Sequence, residues 1–207
     1  MSLAAQLAGD VAQLNLTLPP QVQQRLLDYL ALLQKWNRIY NLTAVHEASR
    51  MVSHHLLDSL AIVPYVTAST VLDIGSGAGL PGIPLALAAP RVQVTLLESS
   101  HKKAAFLQQA KIELKLDNVA VTCERAEAWR PGRVFEMVIA RAFSDLAEFV
   151  TLAGRHVAPG GCLAAMKGIY PHEEITRLPH GWRLQQAISL AVPGLHAQRH
   201  LLLFERE

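Results

Sequence analysis

Apolar residues follow two different periods along this chain, and the change comes near residue 69. Before it, apolar side chains recur mostly at three- and four-residue steps, the spacing of helices that bury one face. One such stretch begins at Pro20, where a proline can open a helix, and a second covers about 48–62. The polar residues 37–43 between them predict a turn. We therefore expect residues 1–68 to form a helical extension.

From residue 69 onward, short apolar runs alternate with helical stretches, the pattern of strand–helix–strand units. The runs that predict strands are Val71–Ile74, Val92–Leu97, Val119–Thr122, Met137–Ala140 and Cys162–Met166. The stretches that predict helices are Pro81–Ala89, His101–Leu114 and Leu146–His156. Two last strands, predicted at Trp182–Leu190 and Arg199–Phe204, form a closing hairpin. This alternation implies an α/β fold over residues 69–207, with a doubly wound, mostly parallel sheet and helices on both faces.

Composition limits the class of protein. The chain has 207 residues, of which 51% are hydrophobic, which is typical of an ordered globule. No apolar run is long enough for a membrane span, and the first residues lack the features of a secretion signal, so we expect a cytoplasmic protein without membrane contact. Cys123 and Cys162 have no metal-ligand spacing. The formal charge of +2 gives no bulk electrostatic case for nucleic acid.

The most informative segment is a buried strand that runs directly into a glycine-rich turn at residues 70–79. Gly75, Gly77 and Gly79 remove most side chains from this turn, so that its backbone can adopt positive φ and approach a ligand closely. Asp73 comes two residues before the first glycine, where it can reach a cofactor's amino-acid end or fix the loop. A strand, a bare turn and a helix in this order predict a cofactor site at the carboxyl edge of the sheet.

The turn fits two cofactor classes. Residues 77–82 match the dinucleotide fingerprint GxGxxG, and Glu98 follows at the distance of a ribose-binding carboxylate, which suits any nucleoside-type cofactor. S-adenosylmethionine is favoured over a nicotinamide by Asp73, by the even spacing of the glycines and by Glu127 after the third strand, where an acidic side chain can reach an adenine. A Pro-Gly-Gly turn at 159–161, before the fifth strand, resembles that of many methyltransferases.

A narrower resemblance rests on motifs that occur in order along nearly the whole chain. They are Lys35-Trp36-Asn37, Tyr40-Asn41-Leu42-Thr43, His55-x-x-Asp58-Ser59, the segment from Asp73 to Pro84, Arg141-Ala142-Phe143 and Lys167-Gly168. Together they resemble the bacterial 16S ribosomal RNA guanine-N7 methyltransferases, the family historically called glucose-inhibited division protein B. The resemblance implies a class I methyltransferase Rossmann-like fold, S-adenosylmethionine as the cofactor and a guanine of small-subunit RNA as the substrate.

The resemblance also implies site residues. Its cofactor positions fall here on Gly75, Leu80, Ala126, Glu127 and Arg141. Fold-level reasoning adds Asp73, Gly77, Gly79 and Glu98 to the cofactor site. Arg141 and Lys167 each end an apolar strand on the active side of the sheet, so both are candidate catalytic residues.

Residues 54–58 raise two further points. Relatives often carry Arg just before the His-x-x-Asp-Ser motif, whereas this chain has His54, which would make an RNA contact there weaker or dependent on pH. A metal site is disfavoured, because adjacent histidines on a helix point in different directions. We expect His55 and Asp58, three residues apart, to hydrogen-bond to each other.

The chemistry of N7 methylation fits this inventory. Guanine N7 has an in-plane lone pair and loses no proton when it attacks a sulfonium methyl, so no general base or nucleophile is required, and alignment carries the reaction. The resemblance implies the small ribosomal subunit or its RNA as the partner, and we expect a monomer. Three alternatives stay open: a nicotinamide-dependent oxidoreductase, a non-catalytic ribosome-binding module and a small-molecule methyltransferase.

Overall fold

A computed structural model describes residues 2–141 and 143–207, and it begins with the predicted helical extension. Its helices are α1 (Leu3–Gln13), α2 (Pro20–Tyr40), α3 (Ala48–Met51) and α4 (Asp58–Leu60), with a π-helical turn at Val52–Leu57 and a 3-10 turn at Val63–Tyr65. The side chain of Ser2 caps α1, and proline occupies the first turn of α2. No helix in the described part of the chain is long and apolar enough to cross a membrane.

The predicted turn at 37–43 is partly wrong, because α2 continues through Tyr40 and ends at Asn41 in the left-handed conformation. The reason is a polar residue of the helix whose side chain bonds to the backbone that follows the helix. Asn37 is buried, and its side-chain oxygen accepts the main-chain N–H of Thr43 at 2.8 Å. The pattern placed Asn37 in a turn, whereas its side chain forms a hydrogen bond to the backbone just beyond the end of the helix.

The second predicted helix, at 48–62, is helical but not uniformly α. The π-helical turn interrupts it between α3 and α4, at residues 52–57. The extra residue of a π turn rotates the side chains that follow, and such turns are frequent at functional sites. Here the turn and its junction with α4 carry four buried polar residues, namely Ser53, His55, Asp58 and Ser59.

The predicted parallel sheet is confirmed, with a seven-stranded order of β3-β2-β1-β4-β5-β7-β6. The strands are β1 (Thr70–Ile74), β2 (Gln93–Leu97), β3 (Val119–Thr122), β4 (Phe135–Arg141), β5 (Val157–Lys167), β6 (Trp182–Ser189) and β7 (His200–Arg206). Strands β1 to β5 pair in parallel, and β7 pairs antiparallel with both β5 and β6. The strand order reverses between β1 and β4, so a crevice opens at their carboxyl ends.

Helices cover both faces of the sheet, as the alternation predicts. They are α5 (Gly82–Ala88), α6 (His101–Glu113), α7 (Leu146–Ala153) and the short α8 (His172–Ile175), and a 3-10 turn at Gly154–His156 follows α7. Alternate residues of β1 enter different cores, with Val71 on one side and Leu72 on the other. The core that contains Val71 also contains buried side chains of α1 and α2, so the extension and the sheet share it.

Candidate active site

The glycine turn follows β1 at the carboxyl edge of the sheet, with all three predicted glycines at positive φ. A Cβ atom on Gly77 would meet only Gly75 O, at 3.8 Å, so the space above Gly77 is open. A Cβ on Gly79 would instead lie 2.5 Å from a side-chain carbon of Ile83. Gly77 therefore leaves an open main-chain cradle, whereas Gly79 is required by packing.

Two carboxylates hold this turn from below. Asp73 is fully buried, and its Oδ2 accepts the N–H of Gly82 at 2.9 Å, whereas its Oδ1 has no partner. Glu98 Oε2 accepts the N–H of Gly77 at 2.8 Å, and Oε1 accepts the N–H of Ser100 at 2.8 Å. Of the two roles predicted for Asp73, the structure shows the fixing of the loop. Each carboxylate oxygen has a second lone pair that can still accept a hydrogen bond from a ribose hydroxyl. The ribose contact of Glu98 therefore stays a prediction.

Burial also changes the acidity of Asp73. Removal from water raises the pKa of this carboxyl to about 7, because the low-dielectric surroundings disfavour the charged form. The hydrogen bond from Gly82 and the charge of Arg141 oppose that rise.

One contact to the turn comes from the extension and could not be read from local sequence. The hydroxyl of Tyr29, in the middle of α2, donates to the carbonyl oxygen of Ala78 at 2.6 Å. Tyr29 is fully buried, and burial raises the pKa of its hydroxyl far above the usual value, so it stays protonated as a donor. Trp36 also joins the two parts, because its ring packs edge-on against Phe106 of α6 at 5.7 Å.

A cavity of about 170 Å³ lies beside the turn, and we call it the glycine-loop cavity. Its walls come from the ends of several strands and are Ile74, Gly75, Leu97, Ser99, Glu124, Arg125, Ala126, Glu127, Phe143 and Leu152. The structure thus brings together Gly75, Ala126 and Glu127, as the resemblance implied. Leu80 and the remaining predicted cofactor residues are not part of this lining, and Leu80 is buried.

A second cavity, of about 350 Å³, lies between the π-helical turn and the ends of β4, β5 and β7, and we call it the arginine cavity. Its lining is Val45, His54, His55, Asp58, Arg141, Met166, Lys167, Gly168 and Arg199. Asp58 is only 1% exposed, and its two oxygens accept from Arg141 Nη1 at 3.2 Å and from Arg199 Nε at 2.9 Å. Arg141 also donates to the main-chain oxygen of His54 at 3.1 Å. Sequence reasoning missed Arg199, which lies directly before β7 in no recognisable motif.

The predicted hydrogen bond between His55 and Asp58 is wrong. Both oxygens of Asp58 are taken by arginines, and His55 Nε2 contacts Thr43 Oγ1 at 2.9 Å instead. Burial, together with the positive charge of Arg141, lowers the pKa of His55 to about 4, so the imidazole is neutral at physiological pH. Its Nδ1 is buried and has no partner.

The ammonium group of Lys167 is bonded to other residues of the protein, whereas its position at the end of an apolar strand suggested a group that faces a substrate. Its Nζ donates to the carbonyl oxygens of Phe143 and Ser144, both at 3.2 Å, and forms an ion pair with Glu174 at 2.7 Å. These contacts hold the chain after β4, and Lys167 also lines the arginine cavity, so its catalytic role stays a prediction. Ala142, the middle residue of the Arg-Ala-Phe motif, lies outside the described residues.

The chain is similar to one known protein family over most of its length. The model of the GidB family, described as rRNA small subunit methyltransferase G, matches residues 22–202. This chain belongs to that family. It is 54% identical over 213 residues to the ribosomal RNA small subunit methyltransferase G of Nitrosospira multiformis, covering 100% of this chain and 99% of the relative. Proteins of the same name are 52% identical in Laribacter hongkongensis (98% of each chain) and 53% identical in Aromatoleum aromaticum (98% of this chain and 99% of the relative).

Solved structures confirm the fold. The chain resembles TrmN from Thermus thermophilus, with a TM-score of 0.57 at 17% identity over 75% of this chain and 53% of that one. It also resembles the putative methyltransferase YhhF from Escherichia coli, with a TM-score of 0.55 at 21% identity over 73% and 86% of the two chains. The protein is therefore a methyltransferase by family and has the class I Rossmann-like fold. Family membership decides against the nicotinamide alternative and implies S-adenosylmethionine as the methyl donor.

Proposed function

We propose that this protein transfers the methyl group of S-adenosylmethionine to N7 of a guanine in 16S ribosomal RNA, by direct in-line transfer without a general base. The observation that carries the proposal is a pair of cavities at the carboxyl edge of the sheet. The end of β4 and the chain just after it contribute to both, with Arg141 in one lining and Phe143 in the other. The names of the relatives support small-subunit ribosomal RNA as the substrate.

The residues of the glycine turn fit S-adenosylmethionine. The cradle above Gly77 has room that a Cβ would fill, and Asp73 presents a buried oxygen without a partner beneath the loop. Ala126 and Glu127 line the cavity where an adenine would lie, next to the ring of Phe143. When bound, the cofactor supplies an electrophilic methyl group on a positively charged sulfur. A third solved structure of similar fold, TYW2 from Pyrococcus horikoshii, was determined in complex with MeSAdo and has a TM-score of 0.54 at 15% identity over 71% of this chain and 60% of that one.

The groups in the arginine cavity match an acceptor that loses no proton. Asp58 is committed to two arginines, and His55 is held neutral with Nε2 bonded to Thr43. Neither offers an accessible base to a substrate, because the oxygens of Asp58 and the unpartnered Nδ1 of His55 are buried. Guanine N7 needs no such base, in contrast to an exocyclic amine or a hydroxyl. Catalysis then depends on aligning N7 with the methyl carbon and the sulfur.

Arg141 and Arg199 provide the recognition that N7 transfer requires. Their guanidinium groups have donors beyond those that pair with Asp58, and these can hold guanine O6 or a phosphate. N7 itself must stay unbonded, so the usual bidentate contact of an arginine to O6 and N7 is unsuitable here. His54 lines the same cavity, and we propose that it contacts a phosphate of the RNA at the position where the resemblance implies an arginine.

The remaining parts of the proposal concern organisation. We propose that residues 1–68 form the extension, that residues 69–207 form the methyltransferase domain, and that the protein acts as a monomer in the cytoplasm. Cys123 and Cys162 are both unbridged, which is compatible with a reducing compartment.

The test is to incubate the protein and S-adenosylmethionine with small subunits from a strain that lacks this gene, followed by borohydride–aniline cleavage, which breaks RNA at N7-methylguanine. A single cleavage site that requires the wild-type enzyme is expected. Methyl incorporation without cleavage would show that another atom is modified. Naked 16S RNA in parallel tests whether the substrate is free RNA or the assembled particle.

A further inference from the structure

The carboxylate of Glu174, on α8, forms hydrogen bonds with two separate parts of the chain. Its Oε2 accepts the main-chain N–H of Leu146, the first residue of α7, at 2.8 Å. The same carboxylate pairs with Lys167, the last residue of β5, with Nζ at 2.7 and 3.0 Å from its two oxygens. Glu174 therefore ties the end of β5 to the start of α7.

Lys167 extends this connection to the chain that follows β4. We call residues 143–145 the β4–α7 segment. The ammonium of Lys167 donates to two of its carbonyl oxygens, those of Phe143 and Ser144. The side chain of Lys167 is only 12% exposed, and that of Glu174 is 22% exposed. Because an unpaired ammonium in such surroundings is costly, the charge of Glu174 keeps Lys167 in contact with the segment.

The β4–α7 segment contributes to one cavity and follows closely in sequence on a residue of the other. Phe143 lines the glycine-loop cavity, and its ring packs on that of Phe149 at 5.3 Å. A Cβ atom on Gly75 would meet the ring of Phe143 at 3.9 Å, so this side chain lies directly over the turn. Arg141, two residues before Phe143, lines the arginine cavity. A shift of the segment would therefore move a wall of the glycine-loop cavity and would displace the chain close to Arg141.

We propose that Glu174 is a positioning residue for methyl transfer, which acts through Lys167 to fix the β4–α7 segment between the bound cofactor and the target base. Glu174 belongs to neither cavity lining, so it acts on the reaction without touching the reacting groups. This inference rests on the proposed function and adds a residue to it that neither the motifs nor the family resemblance indicated.

The test compares Glu174→Gln with Glu173→Gln. The glutamine at 174 keeps an oxygen for the N–H of Leu146 but loses the charge that faces Lys167, whereas Glu173 is its exposed neighbour on the same helix. We expect E174Q to lower kcat/KM for methyl transfer by about 10- to 100-fold, the range for a lost charged hydrogen bond, and E173Q to leave it unchanged. Amide hydrogen exchange over residues 143–149 should speed up in E174Q alone, with similar thermal midpoints in both variants.

A double-mutant cycle shows whether the effect passes through Lys167. In a Lys167→Met background, or Lys167→Gln if the methionine variant does not fold, adding E174Q should lower kcat/KM little further. An equal loss in both backgrounds, or unchanged activity and exchange in E174Q, would overturn the inference. A wild-type enzyme without methyl transfer would instead refute the proposed function, and the exchange measurement would still decide whether Glu174 fixes the segment.

Discussion

The two cavities at the carboxyl edge of the sheet are built in different ways. The glycine-loop cavity is lined mostly by residues at or just beyond the ends of strands β1 to β4, and local sequence predicts its glycine turn. The arginine cavity depends on Asp58, whose partners Arg141 and Arg199 are 83 and 141 residues away along the chain. The first site requires the absence of side chains, and the second requires charged side chains to meet. Substitutions should therefore damage the two sites differently.

The largest expected effect is on transfer and comes from Arg141→Ala. Loss of this donor should lower methyl transfer at least about 10³-fold, with S-adenosylhomocysteine affinity by calorimetry changed far less. Because Asp58 is buried, the variant should also lose stability, although Arg199 still pairs with the carboxylate. Arg183→Ala is the matched control, since Arg183 pairs with Glu205 at an exposed position of β6. Normal turnover in the Arg141 variant would remove this residue from the site.

Gly77→Val should have the next largest effect, on binding. Its side chain would occupy the open cradle and strain a residue with φ of +57°, so S-adenosylhomocysteine should bind at least about 100-fold more weakly. Gly132→Val separates backbone strain from loss of space in the cradle. Gly132 also has a positive φ, of +66°, but has open space around it and lies just before the start of β4. If both variants bind the compound as the wild type does, the turn is not the cofactor site.

Tyr29→Phe tests whether the extension supports the glycine turn. The variant removes only the hydroxyl that bonds to Ala78 O and leaves a buried acceptor without a partner, which costs about 1–3 kcal/mol. We expect about tenfold weaker binding of S-adenosylhomocysteine, with kcat at saturating cofactor little changed. Tyr65→Phe serves as the control, since Tyr65 is 36% exposed. An unaltered affinity would show that the turn keeps its shape without this bond.

The smallest effects distinguish the two regions by pH. The pKa of His55 is lowered to about 4, so the unfolded chain binds more protons between pH 4 and 6.5, and this residue makes stability rise with pH there. The pKa of Asp73 is raised to about 7, so the folded chain binds more protons between pH 3.8 and 7, and this residue makes stability fall with pH. In the wild type the two trends oppose each other.

Single variants should reveal each trend in urea unfolding at a series of pH values. His55→Gln should leave stability that falls from pH 4 to 7, and Asp73→Asn should leave stability that rises from pH 4 to 6.5, each by up to about 1.4 kcal/mol per pH unit. Parallel profiles for the two variants would contradict both assignments.

What the sequence could predict depends on how far apart the interacting residues lie. Most predicted strand ends lie within one or two residues of the observed ends. The three glycines were recognised because the strand, the turn and the helix are contiguous in sequence. The bond from Tyr29 to Ala78 and the pairing of Arg199 with Asp58 were missed, because no local pattern marks partners so distant along the chain. His55 was paired with the wrong residue, since helical spacing gave Asp58 as a neighbour and the arginines compete for it.

The core shared by the extension and the sheet has a consequence for anyone who wants a smaller enzyme. Cutting the chain before β1 would expose the sides of α5 and α6 against which α2 packs and would remove the hydroxyl that bonds to the glycine turn. Residues 1–68 are therefore not a separable RNA-binding arm. A truncated enzyme should lose affinity for its methyl donor before it loses affinity for RNA.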